Sequence, residues 1–151
     1  MEKIRVKSEN TYEIEVNDEG ETIVFNLDDI ELPLKLEKTV EELSKIQQRI
    51  KAQQQIIKNK QDEHGKYMLT KNELELAKLL KEAYSEQRKA LDNFLGAGAC
   101  QKIFGDINYM TMFDDLFKAL DPHFEKMGIK QNAFNKAIAK KYKREDNEEL
   151  S

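Results

Sequence analysis

The first 32 residues alternate between apolar and polar positions, the pattern of strands that bury one face. Two alternating runs, over 12–16 and 23–27, flank a polar turn at 17–20. That turn predicts one register, which sets Val16 opposite Glu21, Ile14 opposite Ile23 and Tyr12 opposite Phe25. Residues 3–7 alternate in the same way and predict a further strand. Because so small a sheet is marginal by itself, we expect it to dock on helices or on another subunit.

Longer stretches then repeat apolar residues every three or four positions, which predicts helices. The first long helix begins within 33–40 and ends near residue 60, since either Pro33 or a Thr39-x-x-Glu42 capping box can start it. Its apolar residues form a single stripe, and the partner heptad positions carry glutamine. We therefore expect it to pack on one neighbouring helix and not in a symmetric coiled coil.

A second long helix is predicted over about 71–95, after a capping box at Thr70 and Glu73 and before Gly96. The short polar loop between the two helices, which contains His64-Gly65, predicts an antiparallel hairpin. Four shorter helices are predicted after Gly96. The first ends at Phe104 and is stopped by Gly105, and the second covers 109–120 and is capped by Asp106 or Asn108. The third is restarted by Asp121-Pro122 and closed by Gly128, and the last begins at Asn132.

These elements predict an α+β fold that is mainly α-helical. A small N-terminal antiparallel β-hairpin or meander is followed by a long antiparallel helical hairpin and several shorter C-terminal helices. We divide the chain into a β-hairpin module over 1–32, a helical body over 33–144 and a disordered acidic tail over 145–151.

Composition narrows the function classes. Charged residues make up 36% of the 151 residues and the formal net charge is −4, which argues against a general nucleic-acid coat. The single cysteine, Cys100, excludes an intramolecular disulfide and a cysteine-based zinc site, and it fits a reducing intracellular compartment. No run of about 18 apolar residues exists, so we expect no membrane span. The N-terminus, Met1-Glu2-Lys3-Ile4, lacks the apolar core of a cleavable signal, so we expect none.

Candidate catalytic and metal-binding groups are few and poorly placed. Asp121, His123 and Glu125 form a D-x-H-x-E string, but alternate residues of a helix point about 200° apart and cannot converge on one metal. Asp121 is better explained as a helix cap, His64 as a solvated loop residue, and Cys100 as a small residue packed at a bend. The chain carries no phosphate-binding glycine motif and no GxSxG motif. We expect a protein that is not an enzyme, with no catalytic residue, metal or cofactor.

The strongest nucleic-acid signal lies near the C-terminus. Residues 130–144 hold six bases and no acid, with Phe134 and Tyr142 interleaved. Cations in the last turn also stabilise a helix without any ligand, and the acidic tail follows directly. We therefore expect nucleic acid not to be the main partner.

The most apolar stretch is 104–127, which combines methionine and phenylalanine in a chain otherwise poor in large apolar residues. Most of it is expected to form the core, but adaptable Met and Phe side chains also suit a binding surface. The predicted partner-binding residues are Tyr109, Met112, Phe113, Leu116, Phe117, Phe124 and Met127.

Two stretches carry a family resemblance. The first is a strand that runs into a Leu-Pro helix start, Phe25-Asn26-Leu27-Asp28-Asp29-Ile30-Glu31-Leu32-Pro33-Leu34-Lys35-Leu36, followed by Val40-Glu41-Glu42-Leu43. The second is Ile103-Phe104-Gly105-Asp106, then Asn108-Tyr109, Phe113-Asp114-Asp115-Leu116 and Pro122-His123-Phe124. Both resemble segments of the tail assembly chaperones of long-tailed phages and prophages of Gram-positive bacteria.

The resemblance implies a small β-plus-helix protein that binds the tape measure protein, a very long helical chain, before the tail tube polymerises. The tail tube protein is a further candidate partner, and a homo-oligomer in the bacterial host cytoplasm is expected. Two alternatives stay open. One is a nucleic-acid-binding adaptor that uses the basic 130–144 helix, and the other is a structural tail connector or completion protein whose sheet edge augments a neighbour's sheet.

Overall fold

The computed structural model describes residues 1–7 and 9–128 and has the predicted mixed, mainly helical fold. A β-hairpin precedes four helices: β1 (Thr11–Glu15), β2 (Thr22–Asn26), α1 (Leu32–Lys58), α2 (Lys71–Leu95), α3 (Ala99–Phe104) and α4 (Met112–Met127). The last predicted helix, from Asn132, and the acidic tail over 145–151 lie outside the described residues.

The β-hairpin has the predicted register, with Tyr12 opposite Phe25 and Ile14 opposite Ile23. The turn closes as expected, because the Val16 N–H donates to the Glu21 carbonyl at 2.9 Å. The further strand over 3–7 is wrong: residues 1–7 form no strand and are exposed. An alternating segment becomes a strand only where a neighbouring strand pairs with it, and none in the described part of the chain does so.

The two long helices form the predicted antiparallel hairpin. Contacts between the two arms of this hairpin join residues that lie closer in sequence toward the connecting loop: Thr39 with Ala90, Arg49 with Glu86, and Lys60, just beyond α1, with Glu75. α1 begins with Pro33 in its first turn, so the Thr39 start is wrong. Thr39 is buried, and its hydroxyl donates to the Ala90 carbonyl at 3.4 Å.

Both predicted ends of α2 are confirmed, since the helix runs from Lys71 to Leu95 and Gly96 follows it. The Glu73 N–H donates to the Thr70 hydroxyl at 3.2 Å, and the Thr70 N–H donates to the Glu73 carboxylate at 3.3 Å. This reciprocal pair satisfies two backbone donors that a helix start leaves without partners.

One continuous helix, α4, replaces the two predicted helices that were to meet at Asp121-Pro122. Asp121 is therefore not a cap. Pro122 lacks an N–H and leaves the Lys118 carbonyl without its helical donor, a disruption that costs about 3 kcal/mol or more inside a helix. Lys118 is on the exposed side, where water can hydrogen-bond that carbonyl, while an apolar stripe continues across the proline from Phe113 to Phe124. Burial of that stripe offsets the disruption.

The core joins the hairpin to the helices of the same chain. The Phe94 ring of α2 contacts the Phe25 ring of β2 at a centroid distance of 5.4 Å and the Phe124 ring of α4 at 6.0 Å. Phe25 and Phe124 are almost fully buried. The sheet therefore docks on its own helical body, with Phe94 as the residue shared by three elements.

Candidate functional site

The structure divides the seven predicted partner-binding residues into two groups. Five of them are buried in the core: Met112, Phe113, Leu116, Phe117 and Phe124. Met127 is half-buried, and Tyr109 is 44% exposed. Partner binding by the seven stays a prediction. Without unpacking α4, a partner can reach only Tyr109 and Met127.

Beside Tyr109 lies the loop between α3 and α4, residues 105–111, which a single arginine of α2 holds in place. The Arg88 guanidinium donates three hydrogen bonds into this α3–α4 loop: to the Asn108 side-chain oxygen at 2.8 Å and to the Gly105 and Ile107 carbonyls at 2.9 Å each. The rigid fork of an arginine can serve three acceptors at once in this way. The loop is therefore fixed although it lies on the surface.

Contacts of aromatic rings also hold the α3–α4 loop in place. The Arg88 guanidinium lies 5.6 Å from the centre of the Phe104 ring, a cation–π distance. Phe104 in turn meets the edges of Tyr109 and Phe113 at centroid distances of 6.3 and 5.9 Å. The Tyr109 N–H also donates to the Met112 sulfur at 3.4 Å. The loop thus rests on α4 as well as on α2.

The loop so held carries apolar side chains into solvent. Ile107 is 70% exposed and Met110 is 90% exposed, next to the partly exposed Tyr109. Single exposed apolar residues are common on protein surfaces, but three within four residues of one loop suit an interaction site. Because the backbone beneath is already ordered, a partner would bind it with little loss of conformational entropy.

Arg88→Ala is expected to loosen this loop and to lower the free energy of unfolding by about 1–3 kcal/mol, because hydrogen bonds from a charged donor are lost. Arg88→Lys should recover little, since an ammonium group cannot serve three acceptors in fork geometry. Urea unfolding followed by circular dichroism measures both. Lys89→Ala, on the exposed side of the same turn, is the control and should stay within about 0.5 kcal/mol. Equal losses of stability for Arg88→Ala and Lys89→Ala would contradict the conclusion that Arg88 holds the α3–α4 loop in place.

Cys100 is packed beneath this region and does not have the features of a nucleophile. The side chain of Cys100 is buried, and burial raises the pKa of its thiol from 9.0 to about 12. The backbone N–H of Cys100 donates to the Asp92 carboxylate at 2.9 Å. Reactive cysteines have a lowered pKa and access to solvent. The prediction of a packed residue at a bend is in keeping with this geometry.

The same shift predicts a pH dependence. Because the folded-state pKa of Cys100 lies above the unfolded value, the stability that it contributes is complete below about pH 9 and is lost as the pH rises toward 12. In the folded protein at pH 8, we expect the thiol to react with iodoacetamide far more slowly than in urea. Alkylation rates by mass spectrometry measure this, and equal rates in the two states would contradict it.

The histidine of the D-x-H-x-E string on α4 makes a structural contact. The His123 ring nitrogen Nδ1 lies 2.8 Å from the Tyr12 hydroxyl, and the two rings meet edge to face at 5.8 Å. This contact ties β1 to α4. Within residues 1–7 and 9–128, no three histidine, cysteine or carboxylate side chains come together as a metal site.

A second exposed apolar surface lies at the opposite end of α2, in the loop that joins α1 to α2. The hairpin tip, residues 64–69, exposes Tyr67, Met68 and Leu69. Its ends are held together, because the Lys71 N–H donates to the Glu63 carbonyl at 3.0 Å and the Asn72 side chain donates to the Lys60 carbonyl at 3.0 Å. The hairpin tip is therefore the natural comparison surface for the α3–α4 loop.

The space enclosed between α1, α2 and α4 is too small for a ligand. It has a volume of about 10 Å³ and an apolar lining that includes Val40, Leu91 and Leu120, whereas ligand pockets measure about 300–1,000 Å³. No helix in the described part of the chain is long and apolar enough to cross a membrane. The basic 130–144 segment lies outside the described residues.

Comparison with known proteins adds no relative. No protein-family model matches the chain, and neither a curated protein nor a solved structure is significantly similar to it.

The predicted partner-binding residues omit three residues of the α3–α4 loop site: Arg88, Ile107 and Met110. Arg88 is one of many cations on a helix with polar and charged faces, and nothing in its spacing marks it as a clamp for residues 17 to 20 positions away. Ile107 and Met110 fall before the apolar stripe of α4 and look like part of it. The signal that could have marked residues 105–111 as a loop was the pair Gly105 and Asn108, since residues of these types favour loops over helix interiors.

Proposed function

We propose that this protein is a non-catalytic tail assembly chaperone that binds the tape measure protein, in the bacterial host cytoplasm, through the α3–α4 loop. The observation that carries the proposal is an apolar surface loop that three hydrogen bonds from Arg88 hold in place. A loop of this kind suits binding to an apolar stripe of a partner helix. Shielding such a stripe would keep a long helical chain from aggregating before the tail tube polymerises.

The residues of the family resemblance support this choice of surface. The second stretch of that resemblance supplies Phe104, Gly105, Asn108 and Tyr109, which build the α3–α4 loop or support it. The first stretch supplies Phe25, which lies in the core against Phe94. The hairpin tip, in contrast, contributes nothing to the resemblance.

Co-expression with the tape measure protein of the same phage or prophage tests the proposal. We expect the tape measure protein to stay in the soluble fraction and to co-purify with this protein, and to precipitate when expressed alone. If co-expression leaves it insoluble and no complex is captured, the proposed function is wrong.

A further inference from the structure

The outer edge of β1 is open, and its backbone geometry shows where another strand would pair. The Leu27 N–H donates to the Asn10 carbonyl at 2.8 Å and the Val16 N–H donates to the Glu21 carbonyl at 2.9 Å, so even-numbered residues of β1 bond to β2. Because the bonding direction alternates along an antiparallel strand, the N–H and C=O groups of Glu13 and Glu15 point away from β2. Among the described residues, no strand pairs with that edge.

The opposite edge of the sheet, along β2, is contacted by α3 at Thr22. The Lys102 ammonium donates to the Thr22 carbonyl at 3.2 Å, and the Asn17 side chain donates to the Lys102 carbonyl at 3.1 Å. α3 therefore occupies the edge of β2 at Thr22, and a strand added there would displace this contact. The backbone groups of Glu13 and Glu15 on the edge of β1 make no such contact within the described residues, so this edge is the better candidate for a further strand.

Residues 3–7 have the pattern that this edge requires. Ile4 and Val6 are both 92% exposed, and they alternate with Lys3, Arg5 and Lys7. Consider an antiparallel pairing with Arg5 opposite Glu13 and Lys3 opposite Glu15. It places all three cations of the segment on the acidic face of the sheet. It also places Ile4 beside Ile14 and Val6 beside Tyr12, on the face that packs on the helices.

We infer that residues 3–7 of a second copy of this chain add to β1, in a reciprocal two-fold exchange. Direct pairing of β1 with β1 would bring Glu13 and Glu15 against their own copies, which is unfavourable. The basic segment of a partner copy instead complements them, and two-fold exchange satisfies both edges at once. This inference does not depend on the proposed function.

The same segment is poorly placed to pair with its own β1. In this register only residues 8–10 would connect the strands, and a three-residue loop of this kind normally places its last residue in the left-handed region. Asn10 is that residue, but no non-glycine residue among those described has a positive φ. Its carbonyl is held by Leu27 and its side chain donates to the Asp28 carboxylate at 3.1 Å. A return in the same chain would have to change the backbone conformation of this anchored residue.

A pair of charge-reversed chains tests the inference. Light scattering of the wild-type chain should give twice the 17.7 kDa of one chain. The variant Glu13→Lys/Glu15→Lys and the variant Lys3→Glu/Arg5→Glu should each be monomeric, since each sets like charges together. Their equimolar mixture should again form a dimer, because both exchanged interfaces then join opposite charges. All four residues are exposed, so the fold should survive.

A cross-link distinguishes exchange from pairing within one chain. Ile4 and Ile14 would be directly opposite in a non-hydrogen-bonded pair, which is close enough for a disulfide. Ile4→Cys/Ile14→Cys in a Cys100→Ala background should run as a covalent dimer on a non-reducing gel. A monomeric wild type, dimers that persist in both charge variants, a mixture that stays monomeric, or a cross-link confined to one chain would each overturn the inference.

Discussion

Phe94→Ala is expected to lower the free energy of unfolding by about 3–5 kcal/mol, a larger loss than we expect from Arg88→Ala. The Phe94 ring touches Phe25 of β2 and Phe124 of α4, so its loss leaves a cavity at the point where sheet and helices meet. Domains of this size have a total stability of about 5–15 kcal/mol. The substitution should therefore consume a large share of it, as measured by urea unfolding.

Two controls separate the cavity from a general effect on α2. Asn93→Ala changes the exposed neighbouring residue and should stay within about 0.5 kcal/mol. Phe94→Leu keeps an apolar side chain in the space and should cost clearly less than the alanine change. If Phe94→Ala cost no more than Asn93→Ala, the packing described for this junction would be wrong.

The double substitution Ile107→Ser/Met110→Ser is expected to weaken binding to the tape measure protein by about 100-fold or more. Full burial of one such side chain contributes about 1.5–3 kcal/mol, and about 1.4 kcal/mol corresponds to a tenfold change in Kd. Both side chains are exposed in the protein alone, so its stability should hardly change. Titration calorimetry measures the affinity.

The hairpin tip provides the matched control. Tyr67→Ser/Met68→Ser removes two apolar side chains that are exposed to a similar degree, at a site outside the α3–α4 loop. We expect it to leave the affinity within a factor of about three. Equal losses for both double variants, or a loss only at the hairpin tip, would contradict the assignment. Substitutions at Phe113 or Phe117 are unsuitable for this comparison, because both are in the core.

Local patterns were enough to predict much of the fold. The hairpin register followed from alternation and one turn, and the start of α2 followed from its capping box, because both are set by contacts within a few residues. The continuous α4 could not be predicted in this way. Pro122 is a local stop signal, and only the packing of Phe124 against Phe94, a contact across the chain, shows why the helix continues.

The site was harder to predict than the fold. Tyr109 was identified from its apolar neighbourhood, but the pattern could not separate exposed from buried positions within 104–127. That separation depends on Arg88, whose hydrogen bonds hold Ile107 and its neighbours away from the core. The alternation over 3–7 was real, but such a pattern does not specify whether a segment pairs with a strand edge of its own chain or with one of a second copy.

Amide hydrogen exchange of the full chain, alone and with the tape measure protein, tests the central claim most directly. If the α3–α4 loop is the binding surface, the complex should slow exchange in residues 105–111 and leave the hairpin tip, residues 64–69, unchanged. Protection at the hairpin tip with none in residues 105–111, or no protection at either surface, would contradict the account.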